Sequence, residues 1–507
     1  MRKTLTAIML LLALAIPLFA SCANTETGGP TVPTDPTDPT GAVVDKYKYI
    51  GADGKEYWKI QAEPFDWNGR EFKVLVRNDG QSNGGYADAD FTYYEKLDGE
   101  PVNDAAYRRT LEIEDMFNIK IVPIGANGAG YNNIHTNMIR KSVLAGDNAY
   151  DLTMNCPRNN GTLSQEGCFY DLADFPNIDL SEPWWDKNWV DNATIAGKIY
   201  HAAGDISLSY KNTVSVVLFN KQMLTDLGLE SPYNLVADNK WTFDKMAEMC
   251  KVVWENLNDE GVPDNMSVLG LGGYAGILGQ ALAACGVSII GKDANDIPVS
   301  SFYSERTVNV FDKLVECFYD RTLFYNYQAS YAAGRSGVTK FLNNELLFFW
   351  NEMYNVLLLR QMDTDFGILP APKFDSSQSR YYHDINNWES MILAIPKYGP
   401  DDEIEKIGAV VSALATLGKN YLTPAYYETT LKGKVTRDDD SEKMLDVIYD
   451  NVAIDMGQMY DIGGMGEGFN NVHRQLVTDI TSWYMAREGQ VQLAIEKFVD
   501  SYLSLEN

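Results

Sequence analysis

The chain has 507 residues, more than a single hydrophobic core organises, so two lobes or domains are expected. Its 45% hydrophobic and 22% charged residues are those of an ordinary soluble globular protein. A formal net charge of −28 argues against nucleic acid, anionic membrane surfaces and polyanions as partners, and it tolerates neutral or cationic ligands.

At the N-terminus Arg2 and Lys3 precede an apolar run, Leu5 to Phe19, too short and wrongly flanked to span a membrane; it reads as a secretion signal. The run closes on Leu18-Phe19-Ala20-Ser21-Cys22, which resembles a bacterial lipobox, with Phe19 where Leu is usual. That resemblance implies removal of residues 1–21 and a lipid on Cys22, so the membrane is met through the N-terminal lipid only. The following segment, 22–45, contains Thr31-Val32-Pro33-Thr34-Asp35-Pro36-Thr37-Asp38-Pro39 and reads as an extended spacer between a lipid and a globular body. An extracytoplasmic location on the outer face of a bacterial cell membrane follows.

Beyond Phe65 short apolar strands alternate with amphipathic helices. Strands are expected at Phe72–Val76, Ile119–Val122, Tyr150–Met154, Val214–Phe219, Leu346–Trp350, Phe366–Leu369 and Met391–Ile395, each brief enough to be covered on both faces. Asn220 is a candidate cap for a short helix stopped by Gly228, and Thr242 caps a longer one with Phe243, Met246, Cys250 and Val253 inward. Val308, Phe311, Val315 and Phe318 form another stripe, and from Met444 to Leu505 the chain is mostly helical. Such alternation predicts α/β lobes with largely parallel sheets.

Cys156, Cys168, Cys250, Cys285 and Cys317 are an odd set without CxxC or Cys/His clustering, so no zinc site is expected and any pairing stays open. Asn256-Leu257-Asn258-Asp259-Glu260-Gly261 lacks the Asp and Glu positions of a calcium loop and reads as a polar loop. No metal and no cofactor are expected.

The run from Val216-Val217-Leu218-Phe219-Asn220-Lys221 through Leu227-Gly228-Leu229 to Lys240-Trp241-Thr242-Phe243-Asp244 resembles the extracellular solute-binding proteins of carbohydrate ABC transporters, family 1 type. Phe117-Asn118-Ile119-Lys120-Ile121, Tyr150-Asp151-Leu152, Phe366-Gly367-Ile368-Leu369-Pro370-Ala371-Pro372-Lys373 and Ala394-Ile395-Pro396-Lys397 continue the likeness in order, over about residues 65–505. The resemblance implies a two-lobed α/β periplasmic-binding-protein-like fold with hinge strands and a ligand cleft between the lobes. It places 46–207 and 363–420 in the first lobe and 208–362 and 421–507 in the second. It further implies a monomeric, non-enzymatic protein that binds a sugar, an oligosaccharide by expectation, and meets ABC transporter permease subunits. A surface glycoside hydrolase and a sugar-sensing lipoprotein of the same fold are the alternatives.

A sugar presents apolar C–H faces and a rim of hydroxyls, so its site needs flat rings beside fixed polar groups. Four places offer both: Trp350-Asn351-Glu352 after a strand, Asn386-Asn387-Trp388 before one, Tyr274 in a glycine-rich turn, and Pro183-Trp184-Trp185-Asp186. Trp350, Glu352, Trp388, Asn387, Tyr274 and Trp185 are therefore the candidate contacts. Order along the family pattern adds Asn155, Arg158 and Phe469, while Trp241 beside a helix start is expected in the core.

Overall fold

A computed structural model describes residues 47–77, 91, 97–126, 133–257, 262–328, 336–359, 361–398, 403–427, 431 and 439–505. The expected signal, Cys22, the spacer to residue 45 and most of the polar loop 258–261 lie outside the described residues. The chain divides into two units, Met1–Lys48 and Tyr49–Asn507, and the second contains both lobes.

Nine strands build the two principal sheets: β1 Arg70–Arg77, β2 Ile119–Ala126, β3 Leu152–Asn155, β4 Ser215–Asn220, β5 Leu269–Gly273, β6 Phe324–Asn326, β7 Leu346–Glu352, β8 Phe366–Leu369 and β9 Ile392–Ala394. The first sheet has the order β9-β3-β1-β2 and the second β6-β5-β7-β4-β8. Strands β3, β4, β5, β7, β8 and β9 are buried along their whole length, which is why they read as continuous apolar runs rather than alternating ones.

Neither sheet is wholly parallel. Strand β9 runs antiparallel to β3, and β4 runs antiparallel to both β7 and β8. The reason is topological: β4 starts where the chain enters the second lobe, so it points away from the entry side, while β5, β6 and β7 run back towards it. The expected assignment of 363–420 to the first lobe also needs correction, since β8 hydrogen-bonds into the second sheet and the return to the first comes only with β9. Likewise the segment 421–507 does not belong to one lobe. Helix Met456–Tyr460 packs on helix Pro157–Gln165, and Tyr502 sits edge-on against Tyr200, 5.1 Å between centroids.

Local signals set the helix ends. The Asn220 side chain accepts the Met223 amide at 2.9 Å to start helix Lys221–Asp226, and Gly228 beyond it adopts φ 62°. Thr242 Oγ1 takes the Lys245 amide at the head of helix Phe243–Leu257. In helix Glu305–Phe318 the inward stripe is Val310, Phe311, Leu314, Cys317 and Phe318, with Val308 and Val315 only half-buried.

Three segments cross between the lobes and pair with one another. The Ser215 amide donates to the Asp384 carbonyl at 2.9 Å and the Asn386 amide to the Thr213 carbonyl at 3.1 Å. On the other side His383 N donates to Asn451 O at 3.0 Å and Ala453 N to His383 O at 2.7 Å. His383 through Asn386 thus form the middle of a three-segment ribbon.

Candidate functional site

Between the lobes, over this ribbon, lies a cavity of about 510 Å³. The second lobe contributes Tyr274 and Gln280, beyond the carboxyl end of β5, and Gln328, beyond that of β6. Ligands gather at strand carboxyl ends because the loops there are free to vary over a fixed sheet. The crossing ribbon contributes Asp384, Asn386, Asn387, Trp388 and Glu389, and the C-terminal helices Gln458, Glu467 and Asn470, with Arg474 just beyond them.

Trp388 is half-buried on the wall. The Arg158 guanidinium lies 5.2 Å from the centroid of its ring, donates to Gln458 O at 3.1 Å and is ion-paired with Asp461. The turn before Trp388 is set by Asn386, whose Oδ1 accepts the amides of Trp388 at 3.0 Å and Glu389 at 3.2 Å. The Asn386 amide group donates in turn to Glu352 Oε1 at 3.0 Å. Buried Arg77 reaches the Trp388 carbonyl at 3.3 Å and ion-pairs with Glu389 at 2.7 Å.

Gln280 is positioned by a relay. The Trp350 indole N–H can only donate, so Ser215 Oγ accepts it at 2.7 Å and passes its own hydrogen to Gln280 Oε1 at 3.1 Å. That fixes the amide orientation and leaves Gln280 Nε2 buried without a protein partner, on a residue that lines the cavity.

The surroundings of Asp384 are acidic. Burial pushes the Glu352 carboxyl up to about 7, against hydrogen bonds from Asn386 and Tyr274. Asp384 is pushed up to about 8 by burial, helped by the charges of Asp455 and Glu352. Asp455 is also raised by burial, although it accepts the Ile289 and Gly457 amides, each at 2.6 Å.

Of the expected contacts, the structure brings Trp388, Asn387 and Tyr274 to the cavity, with Glu352 beneath Asn386 and Arg158 beside Trp388. Trp350 goes elsewhere: it is 0% exposed, between Phe243 at 5.7 Å and Phe318 at 6.2 Å, a core ring rather than a platform. Phe469 is likewise core, against Phe302 and Trp483. Trp185 lines a different hollow, with Ile178, Glu182 and Val190 on the first lobe. Asn155 is buried at the end of β3, its Oδ1 taking the Cys156 amide. Trp241 is core as expected, its indole N–H donating to Pro370 O at 2.8 Å.

Gln280 and Gln458 were missed from sequence because no aromatic residue adjoins them, whereas Gln328 follows Tyr327, Asn470 follows Phe469 and Asp384 opens the polar run leading to Trp388, so a ring beside a polar group marked these three. Among the described residues no group of three His, Cys, Asp or Glu could hold a metal ion, and no helix is long and apolar enough to cross a membrane. The five cysteines are buried and unpaired, and burial pushes the Cys156 and Cys317 thiols up to about 12.

No protein-family model and no curated protein matches the sequence. Solved structures do match. The cyclic alpha-maltosyl-1,6-maltose binding protein of Arthrobacter globiformis superposes with a TM-score of 0.56 at 12% identity, over 85% of this chain and 100% of its own. UgpB from Mycobacterium tuberculosis, in complex with glycerophosphocholine, gives 0.54 at 13% identity over 85% and 99%. An ABC substrate-binding protein of Listeria monocytogenes, in complex with cycloalternan, gives 0.51 at 12% identity over 86% and 98%. This is the fold of the ABC-transporter solute-binding proteins. Within the solute-binding fold the ribbon of 213–215, 383–386 and 451–453 is the hinge, and the cavity above it is the interlobe cleft. The residues on that cleft include amides, carboxylates, Arg474 and two rings, a set chemically able to make many directed hydrogen bonds and to offer two apolar faces.

Proposed function

We propose that this protein captures a carbohydrate, an oligosaccharide, outside the cell and delivers it to the permease subunits of an ABC transporter, held at the membrane by a lipid on Cys22. The observation that carries this reading is the cleft lining. Trp388 and Tyr274 supply ring surfaces, Gln328, Asn387, Gln458 and Asn470 supply amides, a group that can both donate and accept, and Gln280 adds its unpartnered Nε2 donor. A sugar hydroxyl also donates and accepts, so an amide wall satisfies a ring of hydroxyls in a way that a wall of one polarity does not. The solute-binding fold supports the transport part of the reading, as do the sugar ligands of two of the matched structures.

Calorimetric titration of the purified protein against a library of defined oligosaccharides tests it. At least one is expected to bind with a Kd in the micromolar range, and none is expected to be cleaved. Silence across the library overturns the carbohydrate reading, and sustained, carboxylate-dependent release of reducing ends overturns the assignment as a binding protein.

A further inference from the structure

We propose that the cleft is built for a ligand bearing an ammonium group, an amino sugar with a free amine, whose nitrogen is received by Asp384 with Glu352 as the second carboxylate behind it. The inference rests on the carbohydrate reading above and narrows it.

Asp384 is 7% exposed and Glu352 4%. Asp384 Oδ1 has no protein partner, although the residue lines the cavity. Glu352 accepts hydrogen bonds from two neutral groups, Asn386 and Tyr274. Among the described residues no Lys or Arg is ion-paired with Asp384, Glu352 or Asp455. The arginines that approach the wall are already matched, Arg77 with Glu389 and Arg158 with Asp461. His383, next to Asp384, is held neutral by burial, its pKa lowered to about 4, and its Nδ1 bonds the Ser215 carbonyl. Glu467 and Arg474 face the same cavity but are exposed and surrounded by solvent.

A desolvated carboxylate cluster without a cation is costly, and the charges must be neutralised by protons or by a positive partner. A neutral hydroxyl offers a hydrogen bond and no charge; an ammonium offers both. Gln280 Nε2 is the independent sign that the place is meant for a ligand. It is a buried donor without a protein acceptor, on a cavity-lining residue only 3% exposed whose other amide atom the Trp350–Ser215 relay holds. A donor there and a carboxylate at Asp384 suit a sugar that carries a hydroxyl or ring oxygen close to an amine. Trp388 and Tyr274 receive its C–H faces, and the net charge of −28 steers cations inward.

The experiment titrates the wild-type protein with matched sugars: glucosamine against glucose, galactosamine against galactose, and glucosamine oligomers against N-acetylglucosamine and glucose oligomers of the same length and linkage. In at least one set the free amine is expected to bind tenfold or more tightly than its neutral partners. Binding at pH 6.5, where the sugar's amine is already protonated, should release protons, seen as a heat that varies with the buffer's ionisation enthalpy, because the ammonium favours the ionised carboxylates. Asp384→Asn, checked for folding by circular dichroism, is expected to bring the members of that set within twofold. Neutral or N-acetylated sugars binding as tightly as the amines overturn this inference and leave the carbohydrate reading standing. Spermidine or choline binding while every saccharide is silent overturns the carbohydrate reading and with it the amino sugar, leaving only the ammonium receptor. Silence from every probe overturns both.

Discussion

Two tryptophans that look alike in sequence have different duties. Trp388 is half-buried on the cleft, and its loss should forfeit ligand contact worth about 1.5–3 kcal/mol, which is roughly a ten- to hundredfold weaker affinity. Calorimetry on Trp388→Ala with the best-binding sugar measures this, and an affinity within twofold of wild type removes the ring from the site. Trp350, wholly buried, should instead cost about 3–5 kcal/mol of stability as Trp350→Ala in urea denaturation. Trp350→Phe isolates the relay: bulk is mostly kept, the N–H holding Ser215 is lost, and ligand affinity should fall several-fold as Gln280 becomes free to turn. The Asp384 carboxyl, pushed up to about 8, makes a separate demand on the ligand-free protein. Between its unfolded value near 4 and about 8 the native state binds the extra proton, so stability is greatest below that interval and falls as pH rises through it. The buried His135, His201 and His383, and His473, are lowered by burial, so their unfolded forms still lose protons around pH 6.5 and raise stability with pH there; only above about pH 7.5 are they neutral in both states and without slope. From about pH 7.5 to 8.5 the urea-unfolding free energy should therefore drop by about 0.5–1 kcal/mol more in the wild type than in Asp384→Asn. Equal slopes in the two proteins would mean that the carboxylate is not held protonated.

Among the elements, the contact of helix Pro157–Gln165 with helix Met456–Tyr460 sets where Gln458 and Arg158 stand. It depends on Gly161, where an added Cβ would lie 2.8 Å from Met459 O and 2.9 Å from the Tyr460 ring. In an exposed helix Gly→Ala gains about 0.5–1 kcal/mol. Here the backbone oxygen cannot yield cheaply, so Gly161→Ala should instead lose about 1–3 kcal/mol and weaken ligand binding by displacing Gln458. Urea denaturation with calorimetry reads both, and a stabilised variant would show that the two helices part freely. The helices themselves were legible, since Asn220, Gly228 and Thr242 act through neighbours within four residues or through their own φ. The direction of β4 and the sheet membership of β8 were not legible, because an apolar run of four to six residues reads the same in either sheet and either orientation.

For the whole molecule, a hinge of three paired segments permits an open and a closed arrangement of the lobes, and a ligand touching both lobes favours the closed one through its differential affinity. Solution scattering with and without the best-binding sugar should show a smaller radius of gyration when it is bound; an unchanged radius argues that the cleft is preformed. The proposed lipid anchor is tested separately. Cys22→Ser should move the protein from the membrane fraction to the medium or the soluble extracytoplasmic fraction, and an unchanged membrane fraction counts against the lipid.

By itself the sequence determined the α/β class, seven of the nine strands of the two principal sheets, the helix ends at Asn220 and Thr242, and Asn386-Asn387-Trp388 as a polar run beside a ring; the short strands β5 and β6 were not read from it. Each of these is a local property, written in periodicity, capping chemistry or turn chemistry. Only the tertiary structure decided that Trp388 faces the cleft while Trp350 faces the core. Only it decided that Gln280 is held by residues 65 and 70 positions away, and that the charges of Glu352 and Asp455 reach Asp384. Burial, shared charge and the orientation of an amide are properties of neighbours that the hinge and the two sheets bring together from distant parts of the chain, and no window of sequence contains them.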